Sequence, residues 1–117
     1  MDVSEVRYGE QPPIDSYGAG GFRIAEGFHD GSLIIAPSGG AAWSGDNSSV
    51  ALTELAWQID VLLVGMGAEI APLPAASRKA LEAVGIGVEV MSTPSACRTY
   101  NVLLAEDRRV AVAVIAI

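Results

Sequence analysis

Residues 88–110, VEVMSTPSACRTYNVLLAEDRRV, constrain the fold more than any other part of the chain, because strand, capped helix and strand follow one another with almost no slack. Val88, Val90 and Met91 are β-formers, Thr93 suits a helix N-cap, Pro94 suits the first helical position, and the apolar run 102–105 fills the helix body. The sole cysteine, Cys97, lies within five positions of Arg98, Tyr100 and Asn101. No acid–base partner for them is visible in the sequence, so the stretch speaks for architecture before chemistry.

Upstream the same logic continues. Ile59 and residues 60–66 are apolar on both faces, as a parallel strand covered on both sides requires. Pro72 and Pro74 open a helix over 75–84, and Gly85 suits the left-handed position that ends it. A strand over 88–91, a helix from Pro94 to about Glu106 and a strand over 109–117 complete a β-α-β-α-β order, whose right-handed crossovers place three strands in one largely parallel sheet. The terminal VAVAVIAI is almost uniformly apolar and belongs inside that sheet rather than on its edge.

The first half reads differently. Gln11-Pro12-Pro13 ends an extended arm over 1–13. Short β-prone runs at 14–17, 22–25 and 27–31, cut by glycines, predict small antiparallel strands. A strand over 32–36 is closed by Pro37, and 38–40 turn into Ala41-Ala42-Trp43, so residues 14–45 form a strand-rich layer. Residues 45–49 are a loop, and 52–58 predict a short helical turn. The expected fold is a single α/β domain over 1–117, its strand-rich N-terminal layer followed by the β-α-β-α-β half.

Charge and composition exclude several function classes. Fourteen acidic against seven basic residues give a net charge of −7, which repels a phosphate backbone, so nucleic acid is not an expected partner. With half the residues apolar and a mean hydropathy of +0.37, the chain is too apolar for disorder, yet no run approaches the roughly 20 residues of a membrane span. One cysteine forms no internal disulfide, and the start MDVSE carries no export or organelle address, so the expected location is the cytoplasm.

Three ordered segments carry a family resemblance: IDSYGAGGFRI at 14–24, LLVGMG at 62–67, and EVMST at 89–93 running into ACRTYNVLLAE at 96–106. Together they resemble a family of small domains of unknown biochemical function that includes the mitochondrial complex I assembly factor 3 and uncharacterised bacterial and archaeal proteins. The resemblance implies a three-layer α/β domain, its central mixed sheet flanked by helices and an additional strand-rich layer, and, for the mitochondrial member, a role in building a respiratory complex through protein contacts. It implies no catalytic residues. Two departures stand out: the segment between Trp43 and Asp60 is short for the family, and Met66 replaces a more usual threonine.

One constellation has the makings of a ligand site. Gly65 and Gly67 leave the carboxyl end of a parallel strand, where open α/β sheets bind ligands, and Thr93, Ser95 and Arg98 begin a helix whose free N–H groups attract anions. The dinucleotide fingerprint is incomplete, since Ile70 stands where its third glycine belongs, and no GK[ST] phosphate loop occurs. Cys97 near the first turn invites a lowered thiol pKa through the helix dipole and Arg98; an inert core cysteine is the plainer reading. The sole histidine, His29, is placed in a loop, with nothing to bring it near the thiol. One cysteine and one histidine do not furnish a structural zinc set, so neither metal nor cofactor is expected.

Asp15, Tyr17, Arg23 and Trp43 border the strand-rich half and read as turn residues. The last helix is apolar almost all round and is expected to bury both faces, partly against another chain, with hydrogen-bond partners required for Tyr100 and Asn101. Arg108 and Arg109 read as capping its C-terminus, and Arg98 as pairing with Glu106, Asp107 or a carbonyl. The expectation is a non-catalytic protein-interaction or assembly-factor-like module, with self-association open. The alternative is a small-molecule or anion binder, or an enzyme, using Gly65, Gly67, Thr93, Ser95, Cys97 and Arg98.

Overall fold

The computed structural model describes residues 11–25, 27–48 and 50–117; of the expected arm, residues 1–10 lie outside them. Three short strands, β1 (Ser16–Gly18), β2 (Gly21–Ile24) and β3 (Gly27–Asp30), form an antiparallel sheet. A second sheet has the order β5-β4-β8-β6-β7, built from β4 (Leu33–Ala36), β5 (Gly39–Ala42), β6 (Val61–Gly65), β7 (Gly87–Met91) and β8 (Val110–Val114). Strands β8, β6 and β7 are parallel, whereas β4 runs antiparallel to β8 and pairs with β5 in a hairpin. A mixed central sheet and an extra strand layer are thus as expected, but that layer holds only β1, β2 and β3: residues 33–42, expected in it, form β4 and β5 of the central sheet, because β4 pairs with the buried β8.

Strand β8 is the middle strand of five and every residue in it is buried. Its alternation is one of size rather than polarity. Val110, Val112 and Val114 face a cluster with Leu33, Ile35, Leu63, Phe22 and Ile24, against which α3 (Thr93–Ala105) lays Ala96, Cys97 and Tyr100. Ala111 and Ala113 face the opposite cluster, where Ile34, Leu62 and Val64 meet Leu52 of α1 (Val50–Thr53) and Leu81 of α2 (Ala75–Ala83). Since consecutive strand side chains point to opposite faces, this one strand serves both halves of the core.

Several expectations shift. Ile14 is not part of a strand; it is buried at 3% exposure and held by Asn101. Glycines 39 and 40 belong to β5 rather than to a turn, leaving Pro37 and Ser38 as the hairpin loop. The helical turn expected over 52–58 begins earlier, as α1 at Val50–Thr53, and residues 54–58 continue as turns with Leu55 N–H donating to Leu52 O and Ala56 N–H to Thr53 O. His29 sits on β3, not in a loop. Helix α3 buries one face only: Val102 is 56% exposed and Ala105 is exposed, because β6 and β8 present it with a single flat surface.

Both long helices end in the same hydrogen-bonded motif. At α2, Gly85 N–H donates to Glu82 and Ile86 N–H to Leu81, with Gly85 in the left-handed conformation at φ 87°. At α3, Asp107 N–H donates to Leu104 and Arg108 N–H to Leu103, so Asp107 takes the left-handed position at φ 63° that glycine usually fills.

Candidate functional site

The ends of β6 and β7 and the start of α3 form the place where an α/β sheet of this order usually receives a ligand. In this protein the two loops are in direct contact. Met66 N–H donates to Met91 O at 2.9 Å, Thr93 N–H to Gly67 O at 2.7 Å, and Gly67 N–H to Thr93 Oγ1 at 3.0 Å. Thr93 Oγ1 also donates to Ile115 O at 2.8 Å, so one fully buried hydroxyl ties together the loop after β6, the start of α3 and the chain beyond β8.

The N-cap is Ser92 rather than Thr93: its side chain accepts from Ser95 N–H, and its carbonyl from Ala96 N–H. With Thr93 N–H given to Gly67 and Pro94 lacking a donor, the first four backbone positions of α3 have no N–H left over for an anion. Thr93 failed as a cap because β7 delivers the chain with Ser92 already in the extended conformation that a cap requires.

Gly65 is a packing residue. A Cβ there would stand 2.8 Å from Val114 Cγ1 and 2.9 Å from Thr93 Cα, so its bareness admits α3, not a ligand. Cys97 is 3% exposed, and burial pushes its thiol up to about 11, Arg98 pulling the other way less strongly. That reverses the expectation of a lowered pKa, since desolvation of the thiolate exceeds what an exposed guanidinium returns. Ser95 and Arg98 lie outside this knot, Arg98 Nη2 donating to Ser95 Oγ at 3.3 Å in place of the expected carboxylate. His29 is 3% exposed, its Nε2 3.2 Å from Ser32 O. Among the described residues Cys97 is a free, buried thiol and no cluster of three His, Cys, Asp or Glu forms.

The surface presents what the interior lacks. Trp57 is 77% exposed, yet the turn that carries it is braced on both sides: Gln58 Oε1 accepts from Ser38 N–H at 2.9 Å, and Arg109 reaches Trp57 O at 3.4 Å and Asp60 Oδ1 at 3.4 Å. Arg109 therefore braces this turn instead of capping α3. Beside Trp57 runs a hollow of about 440 Å³ lined by Gly39, Ala41, Ala51, Glu54 and Gln58. Ile70, 71% exposed, borders another of about 460 Å³ with Pro72, Leu73, Arg78 and Val90. Tyr17 and Phe28 are about half exposed, and Arg23 lies 5.8 Å from the Phe28 ring centre. Trp43 is instead buried, its indole N–H donating to Asp46 O. Sequence reasoning passed over Trp57; its signal was a large aromatic followed by polar Gln58 and Asp60 in the short segment between Trp43 and Asp60.

Comparison with known proteins follows the same lines. The DUF498/DUF598 family, described as proteins of unknown function, matches residues 14–115. An uncharacterized protein of Rhodobacter capsulatus is 52% identical over 103 residues, 88% of this chain and 83% of its own. The NADH dehydrogenase (ubiquinone) 1 alpha subcomplex assembly factor 3 of Danio rerio is 36% identical over 109 residues, and that of Homo sapiens 34% over 103. The matches span 63% and 55% of the length of those two assembly factors. Among solved structures, a Bartonella henselae protein called an outer membrane protein superposes with a TM-score of 0.87 at 42% identity, covering 93% of this chain and 98% of its own. A Bordetella pertussis Mth938-like domain gives 0.75 at 27% identity, covering 98% and 92%. No helix of the described residues is long and apolar enough to cross a membrane. The chain belongs to the DUF498/DUF598 family, which includes complex I assembly factor 3 and uncharacterised bacterial proteins.

Proposed function

We propose that this chain is a protein-interaction module of the assembly-factor kind, acting in the cytoplasm on subunits of a membrane NADH dehydrogenase before they are incorporated. The observation that carries this reading is Trp57, a large aromatic held out beside a hollow on a turn that Ser38 and Arg109 contact. Exposed aromatics on braced segments are the usual anchors of protein interfaces, because little conformational freedom is lost when they are covered. The assembly-factor names of the relatives supply the kind of partner.

The rival reading, an anion or small-molecule site at Gly65, Gly67, Thr93, Ser95, Cys97 and Arg98, has less support, since Gly67 N–H, the Thr93 hydroxyl and the N–H groups of the first turn of α3 already have partners. Deleting the gene in its host and resolving membrane complexes on native gels tests the proposal. Assembled NADH dehydrogenase is expected to fall and to be restored by the wild-type chain, but not by Trp57→Ala. An undiminished complex in the deletion strain refutes it.

A further inference from the structure

The two edges of the five-stranded sheet differ. At β5 the outermost strand is covered, with Gly39 and Gly40 both buried. At β7 no residue is: Gly87 and Glu89 are exposed, and Val88, Val90 and Met91 are half-buried. Gly87 N–H donates to Asp60 O at 2.8 Å and Met66 N–H to Met91 O at 2.9 Å, so Gly87, Glu89 and Met91 turn their backbone groups toward β6. The N–H and C=O of Val88 and Val90 therefore face away from the sheet. Arg78 Nη1 donates to Val88 O at 3.2 Å, and among the described residues the other three groups have no partner. The two faces of β7 differ as well. Val88 and Val90 pack against the cluster that holds Leu81 of α2, and Val90 borders the hollow of about 460 Å³ that Ile70, Pro72, Leu73 and Arg78 complete. Glu89 projects from the opposite face, exposed and with no ion pair among the described residues.

We infer that the outer edge of β7 takes up an extended, basic segment of another protein as a further strand, with alternate apolar side chains entering the hollow and the lysines or arginines between them meeting Glu89. The outward backbone groups of Val88 and Val90 match an extended chain, and Val88 O, with two lone pairs, accepts a second bond while Arg78 keeps the first. The hollow lies on the face of Val90, so every second residue of an added strand reaches Leu73 and Ile70, the latter 71% exposed. The residues between them lie on the face of Glu89, where a cation forms a favourable cross-strand pair and the chain's net charge of −7 draws it in. A second copy fits this edge poorly, since antiparallel pairing of β7 with itself brings two Glu89 carboxylates onto one face. The edge lies at the opposite end of the sheet from β5 and the hollow beside Trp57, so the inference stands apart from the reading of Trp57.

The probe is a short synthetic peptide of alternating lysine and valine, added to the full chain while hydrogen exchange of single amides is followed. Without peptide, the Val90 amide should exchange at least about tenfold faster than those of Glu89 and Met91, which are bonded to β6. Saturating peptide should slow Val88 and Val90 by about tenfold and leave Glu89 and Met91 unchanged. An isomer of the same composition, with its lysines and valines in separate blocks, should bind several-fold more weakly. Glu89→Lys, a change at an exposed side chain, should weaken the lysine–valine peptide several-fold and admit a glutamate–valine peptide in its place. Val90→Pro removes an outward N–H and no bond to β6, so the fold should persist while binding is lost. A Val90 amide already protected in the free chain, a peptide that leaves it unprotected, equal binding of the blocked isomer or to Glu89→Lys, or protection of Val90 through self-association of the chain overturns the inference.

Discussion

Thr93 and Gly67 bind each other twice, Thr93 N–H to Gly67 O at 2.7 Å and Gly67 N–H to Thr93 Oγ1 at 3.0 Å, and so join the loop after β6 to the first turn of α3. The pair joins the two loops at the place where sheets of this order usually hold ligands.

Replacing Thr93 by valine keeps the shape but leaves Gly67 N–H and Ile115 O without their partner. The expected cost is about 2 kcal/mol, typical of buried groups stripped of a hydrogen bond. Urea unfolding should show the loss for Thr93→Val and much of it recovered in Thr93→Ser.

Gly65→Ala tests close packing rather than polarity. The added methyl meets Val114 and the backbone of Thr93, neither of which moves without shifting α3 or β8. A destabilisation of about 1–3 kcal/mol is expected, as for other overpacked cores, measured as a lower denaturation midpoint with an unchanged slope.

Asp107→Gly should stabilise the protein. The left-handed position after α3 strains an aspartate, and its carboxylate opposes the negative end of the helix; Gly85 fills the equivalent place after α2. A gain of about 1 kcal/mol is expected from the relieved backbone and charge together.

The Cys97 thiol titrates near 11 when folded and near its ordinary value of 9.0 when unfolded. The folded state keeps its proton longer, so this contribution to stability is complete below pH 9 and disappears as pH rises toward 11. Tyr100, pushed up by burial, adds in the same sense at higher pH. Denaturation midpoints should therefore fall above pH 9, and Cys97→Ala should lessen the fall. Near neutral pH the native thiol should resist thiol reagents until the protein unfolds.

Periodicity and punctuation revealed the elements whose signals are local. Gly85 ended α2, Pro94 opened α3, and the unbroken apolar run before Ile117 marked the central strand. Boundaries slipped where two neighbours compete for one role, as Ser92 and Thr93 do for the cap: either hydroxyl suits the position, and only the strand that precedes it selects one. The need of Tyr100 and Asn101 for partners was legible from their place in an apolar helix, but Pro12 and Ile14 lie 88 and 87 positions away.

The amino-acid order alone thus determined an α/β chain with a strand-rich first part and a parallel β-α-β-α-β half, since turn chemistry and side-chain period act over a few residues. The tertiary structure alone decided that Gly65 lies against α3, that the Thr93 hydroxyl joins Gly67 and Ile115, that Cys97 is buried, that Trp57 stands outward, and that Tyr100 and Asn101 hold Pro12 and Ile14. Those outcomes depend on desolvation and hydrogen-bond competition between segments far apart in the chain, which no local pattern records.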